Sequence, residues 1–199
     1  LSVIVSGGLL DAPDYLNMVA SSASRLQLMA LLMLVMGLPL TMVPVVMFPI
    51  LKKQNEALAI GYVVFRGALE TFTYMALALS WLLLVVVARQ YAESGAAVAS
   101  QFSNLGILLV KAIDPINAIR GPVFSLGALM FYYLLYQARL IPRLLSGWGI
   151  VAAVACAAGG LTEIFGTTLD ILSMPMFLQE MVMAVWLIVK GFNPSAIAS

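Results

Sequence analysis

The sequence predicts an all-α fold, a polytopic transmembrane helix bundle formed as a single domain over residues 1–199, and three observations carry that prediction. Of the 199 residues, 63% are hydrophobic and only 10% charged, against about 45–50% and about 25% in soluble domains. The mean hydropathy is +1.05, and a chain this apolar lacks the polar surface to coat a globule in water. The apolar residues also gather into runs of about 20 or more, the length that crosses about 30 Å of hydrocarbon as a helix.

Five complete spans follow, at 26–51, 57–88, 117–138, 146–168 and 172–190. Ahead of them, LSVIVSGGLL at 1–10 is apolar but would reach only ~15 Å as a helix, so it is read as the end of a further N-terminal span rather than a signal peptide. The 26–51 span carries Pro39, Pro44 and Pro49, each of which removes a backbone donor. Neighbours and Ser/Thr side chains can re-satisfy the freed carbonyls, which predicts a static kink. The alternative is a broken helix of the transporter kind. Residues 100–116 are too short to span and end in Asp114-Pro115, so an interfacial helix is expected there. In 146–168, the rows Gly149, Ala153, Ala157 and Ala152, Cys156, Gly160 imply close approach to another helix, in this chain or in another subunit.

Charges in the connections set the orientation. Lys52, Lys53, Arg139, Arg143 and Lys190 fall on one side, against Arg25, Arg89 and Lys111 on the other. The positive-inside rule makes the first side cytoplasmic and places the C-terminus there. Tyr132, Tyr133, Tyr136, Trp148 and Trp186 fall near that boundary, where amphipathic rings anchor helices.

Several function classes lose their equipment. With no histidine, the commonest metal ligand and the usual general base are missing. The single Cys156 can form no intrachain disulfide. A net charge of +1 with no basic run longer than Lys52-Lys53 leaves no footprint for nucleic acid. No catalytic residue, metal site or cofactor is expected, and an enzyme is the least favoured reading.

Three segments resemble a known family: KKQNEALAIGYVVFRGALE at 52–70, GALMFYYLLYQARLIPRLLSGWG at 127–149 and LQEMVMAVWLIVKGFNPS at 178–195. In order and over nearly the whole chain, they look like the bacterial integral membrane proteins grouped as the DUF4386 family, whose function is unknown. The resemblance implies a multi-helix protein of the bacterial cytoplasmic (inner) membrane with one more N-terminal helix.

Charges inside spans cost about 2.5–3.5 kcal/mol each on insertion scales and mark places to look for function. Arg66 and Glu70 stand four residues apart, on one face of a helix. With Arg120, Glu163, Gln179 and Glu180 they make the candidate ligand-binding cluster, expected to converge on the outer half of the bundle. Such a cluster suits a zwitterionic or cationic molecule or a lipid headgroup; paired charges that only fix helix register are the competing explanation. The expected function is a non-enzymatic lipid- or small-ligand-binding protein, or an accessory subunit, with membrane lipids and other membrane subunits as partners. A small secondary transporter or proton-coupled permease is the alternative.

Overall fold

The computed structural model describes residues 14–198, so the expected remnant helix at 1–10 lies outside the described residues. Within them the chain is helical and shows no strand. A short helix α1 (Tyr15–Ser21) precedes α2 (Ala23–Leu51), which runs through Pro39, Pro44 and Pro49 without ending. After the turn at 52–55, Asn55 caps α3 (Glu56–Tyr62), its Oδ1 accepting from Leu58 N–H at 3.0 Å. That side-chain acceptor satisfies one of the open donors of a helix start. A π-helical segment (Val63–Leu69) then leads directly into α4 (Glu70–Glu93). Next come α5 (Ala96–Lys111), α6 (Ile113–Ala138), α7 (Arg143–Ile164), a 3₁₀ turn (Asp170–Leu172), α8 (Met174–Lys190) and the short α9 (Pro194–Ala198).

Five helical stretches are long and apolar enough to cross a membrane: Ala23–Leu51, Glu56–Glu93, Val98–Ala138, Arg143–Ile164 and Asp170–Lys190. Their outward side chains are apolar too, with Leu38 66%, Phe72 67% and Ile188 85% exposed. Surface of that kind is stable only against lipid. The chain is therefore a multi-pass membrane protein.

Two helix ends differ from the ends of the expected spans. The 146–168 run stops at Ile164 because Gly166, at φ +83°, terminates it. Gly166 N–H donates to Glu163 O at 2.9 Å and Thr167 N–H to Thr162 O at 3.0 Å. That pair of bonds is the Schellman closure, which a residue with a Cβ adopts only under strain. The 100–116 segment is helical, yet only Ala112 separates α5 from α6, so the helix after it starts at Ile113 rather than at 117.

The chain divides into two compact units, Leu1–Leu38 with Phe72–Asn117 and Pro39–Thr71 with Ala118–Ser199. The first has apolar cores built on Leu16, Val19, Leu26, Leu84 and Val85, and on Met29, Ala78 and Trp81. Here α1 lies so close to α5 that a Cβ on Gly106 would come within 2.5 Å of Tyr15 Oη. The second is packed around Leu51, Tyr62, Phe131, Leu134, Leu135 and Leu145, with the Tyr62 and Phe131 rings stacked at 4.6 Å. In this unit α6 and α7 meet through small residues: a Cβ on Gly160 would stand 2.7 Å from Pro122 Cδ, and one on Gly149 2.5 Å from Tyr132 Cγ. With little hydrophobic drive between helices in lipid, this backbone proximity supplies the van der Waals contact that holds them. The small-residue rows of α7 are thus used within the chain.

Candidate functional site

The second unit holds the charged side chains that its helices bury. Arg66 sits in the π-helical segment, and α6 can lie against that segment because position 127 is glycine: a Cβ there would be 3.2 Å from Arg66 N. π-Helical turns are rare and recur at functional sites. Opposite, α2 passes close by, and Thr41 Oγ1 donates to Gly67 O at 3.3 Å and shares a hydrogen bond of 2.9 Å with Thr71 Oγ1. A hydroxyl one turn from Pro44 and two residues from Pro39 thus ties the proline-rich helix to the π segment.

The Arg66 guanidinium joins two carboxylates. Its Nη1 donates to both Glu70 oxygens, at 3.1 Å and 2.9 Å, while Nη2 reaches Glu180 Oε1 at 3.5 Å. Its carbon lies 4.5 Å from the centre of the Phe124 ring, so the cation also rests on an aromatic face. The three charges differ in access: the Glu70 side chain is 2% exposed, Arg66 18% and Glu180 37%. Glu70 is the buried anchor and Glu180 is the open end.

Beside this triad, Gln179 is fully buried. Tyr132 Oη donates to Gln179 Oε1 at 2.6 Å, and Gln179 Nε2 donates to Leu145 O at 3.3 Å. The amide therefore fastens α8 to α6 and α7 with both of its ends. Tyr132 is 2% exposed, which corrects its reading as a boundary anchor; Tyr133, Tyr136 and Trp148 are exposed as anchors would be.

Of the six candidate residues, the structure brings Arg66, Glu70 and Glu180 into direct contact and sets Gln179 next to them. Arg120 lies on α6, one turn before the Phe124 ring that meets Arg66. Glu163 forms no salt bridge among the described residues, and it closes the last turn of α7. The aromatic members Tyr62, Phe124, Phe131 and Tyr132 were not among the six. Ala128, Phe131, Tyr132 and Leu135 share one face of α6 at helical spacing, and that pattern was the available signal.

Two members of the triad, Arg66 and Glu180, line a cavity of about 500 Å³. Arg66, Glu180, Tyr62 and Tyr132 supply its polar lining, and Val43, Met47, Phe131, Met183 and Leu187 are among its apolar walls. Ligand pockets usually measure about 300–1,000 Å³ and pair apolar walls with a few polar groups. Val43 and Val46 line the cavity yet are 49% and 64% exposed, so it opens past α2 onto the lipid-facing surface. No group of three or more metal-type side chains forms among the described residues. What the arrangement can do chemically is hold a molecule with an apolar body and one polar end.

A family model described as "Domain of unknown function (DUF4386)" matches residues 1–191, and the chain belongs to that family. No curated protein and no solved structure matches the chain.

Proposed function

We propose that this member of the DUF4386 family is a non-enzymatic binding protein that takes a small amphipathic molecule or lipid from the bilayer into the cavity of its second unit. The observation that carries the reading is the cavity itself, whose mostly apolar lining includes the charged Arg66 and Glu180. One guanidinium against two carboxylates leaves the triad with one net negative charge when both acids are ionised. It therefore suits a polar end that is cationic or donates hydrogen bonds. We assign the protein to the bacterial cytoplasmic membrane with Lys52, Lys53, Arg139, Arg143 and Lys190 facing the cytoplasm.

Native mass spectrometry of the gently solubilised protein tests this reading. At mild activation the wild type should carry an adduct of defined mass, and Glu180→Ala, which keeps the Arg66–Glu70 pair, should lose it. A bare protein under the same conditions counts against the cavity as a site. Stoichiometric co-purification with other subunits would instead support the accessory role.

A transporter is the second reading, favoured by the π-helical turn carrying Arg66 directly opposite the proline-rich half of α2. Substrate-dependent flux in proteoliposomes, abolished by Glu70→Gln, would support it; flux indifferent to that change would count against it.

A further inference from the structure

A second cavity, of about 560 Å³, lies where α6 ends, α7 begins and α8 ends. Arg139, Arg143 and Lys190 line it, and none of its lining residues is acidic. The connection at 139–142 makes this concavity through a turn that side chains seldom adopt, with Arg139 at φ +53°. The turn is tied to the chain after α8: Asn193 N–H donates to Leu140 O at 2.9 Å and Asn193 Nδ2 to Arg139 O at 3.4 Å. A left-handed backbone at a residue with a Cβ costs energy and persists only where its surroundings hold it. Arg143 is steadied by the Tyr136 ring, 5.0 Å from its guanidinium carbon.

The surroundings say which anion such a pocket meets. Leu144 and Ile188, each next to or near one of the cations, are 87% and 85% exposed, among the barest apolar side chains of the chain. They belong in hydrocarbon, so Arg143 and Lys190 stand at its edge, at headgroup depth. Trp186, one turn before Lys190, also lines the pocket, and an indole favours that depth. Phe192 walls this pocket and the apolar cavity alike.

We propose that this pocket seats the phosphate of an anionic phospholipid, with Arg139, Arg143 and Lys190 around the phosphate oxygens and the acyl chains against the apolar side chains that flank it. Basic pockets between helix ends recognise such headgroups, and two arginines offer paired donors to phosphate. The site is independent of the triad: none of its cations touches Arg66, Glu70 or Glu180 among the described contacts.

The test is native mass spectrometry of the full chain titrated with phosphatidylglycerol and, separately, with phosphatidylcholine. The wild type should bind phosphatidylglycerol about tenfold more tightly, and Arg139→Gln/Arg143→Gln/Lys190→Gln should bind the two alike. Because the triple variant touches a strained turn, the single Lys190→Gln is measured beside it; that exposed change should cost about fivefold in phosphatidylglycerol affinity and leave phosphatidylcholine unchanged. Millimolar inorganic phosphate should not displace the lipid. Equal affinity of the wild type for both lipids, undiminished selectivity in the folded variants, or displacement by inorganic phosphate, which would make this a site for free anions, overturns the proposal.

Discussion

In the unit built from Leu1–Leu38 and Phe72–Asn117, Ser80 Oγ donates to Ala76 O of its own helix at 2.9 Å, and Tyr15 Oη and Trp81 Nε1 are buried with no hydrogen-bond partner among the described residues. In the unit built from Pro39–Thr71 and Ala118–Ser199, polar side chains reach between helices: Tyr132 to Gln179, Gln179 to Leu145 O, Thr41 to Gly67 O and Arg66 to Glu180. Both described ion pairs belong to this second unit. The first unit's buried clusters are apolar. The second sets a charged triad, with Glu70 buried, where packed hydrocarbon would serve stability as well or better, and two of its members line an open cavity. The contrast teaches where to look for a role beyond packing.

The largest effect that could break this comparison comes from Arg66→Met. Removing the cation takes away the guanidinium that both Glu70, 2% exposed, and Glu180 contact. Unfolding in mixed micelles should show a loss of about 3–5 kcal/mol. The triple change Arg66→Met/Glu70→Leu/Glu180→Leu should return to within about 1 kcal/mol of the wild type while abolishing ligand retention. A triple variant as unstable as the single one would mean that the triad is there to hold helices together.

Leu84→Ala probes the other unit. Leu84 is 1% exposed in the apolar core with Leu16 and Leu26, so its truncation should cost about 3 kcal/mol. At temperatures where the variant is folded, it should bind ligand as the wild type does.

Tyr132→Phe should cost about 1–2 kcal/mol in the same unfolding assay, because it strands the buried Gln179 oxygen. Smaller still, Glu180→Ala should cost under about 1 kcal/mol, since its contact with Arg66 is 3.5 Å long and its side chain 37% exposed. Its effect on binding should nevertheless exceed that of Leu84→Ala. That inversion, small in stability and large in binding, separates a recognition residue from a structural one.

Much of the fold was legible in the sequence for a simple reason: a bilayer imposes a length on apolar runs, and the five spans had it. Their ends were less so. The 146–168 run looked unbroken because apolar content continues past Ile164, while the helix is ended by the backbone freedom of Gly166, which hydropathy does not register. The Arg66–Glu70 pair was legible because both partners share one helix face. Glu180, 110 residues beyond Glu70, could be suspected but not placed, because that contact depends on how α8 packs against the π segment. Tyr132 reads as an anchor because it falls near the inner boundary with Tyr133 and Tyr136; its burial follows from the facing Gly149, a residue on another helix.

Photolabelling tests the central claim most directly. The purified protein in lipid nanodiscs is irradiated with a long-chain alkylamine bearing a diazirine, and the modified residues are mapped with and without excess unlabelled alkylamine. The account predicts competable label concentrated on cavity residues such as Val43, Met47, Met183 and Leu187, and its loss in Glu180→Ala. Label spread evenly over the lipid-facing helices, insensitive to competitor and to that substitution, would contradict it.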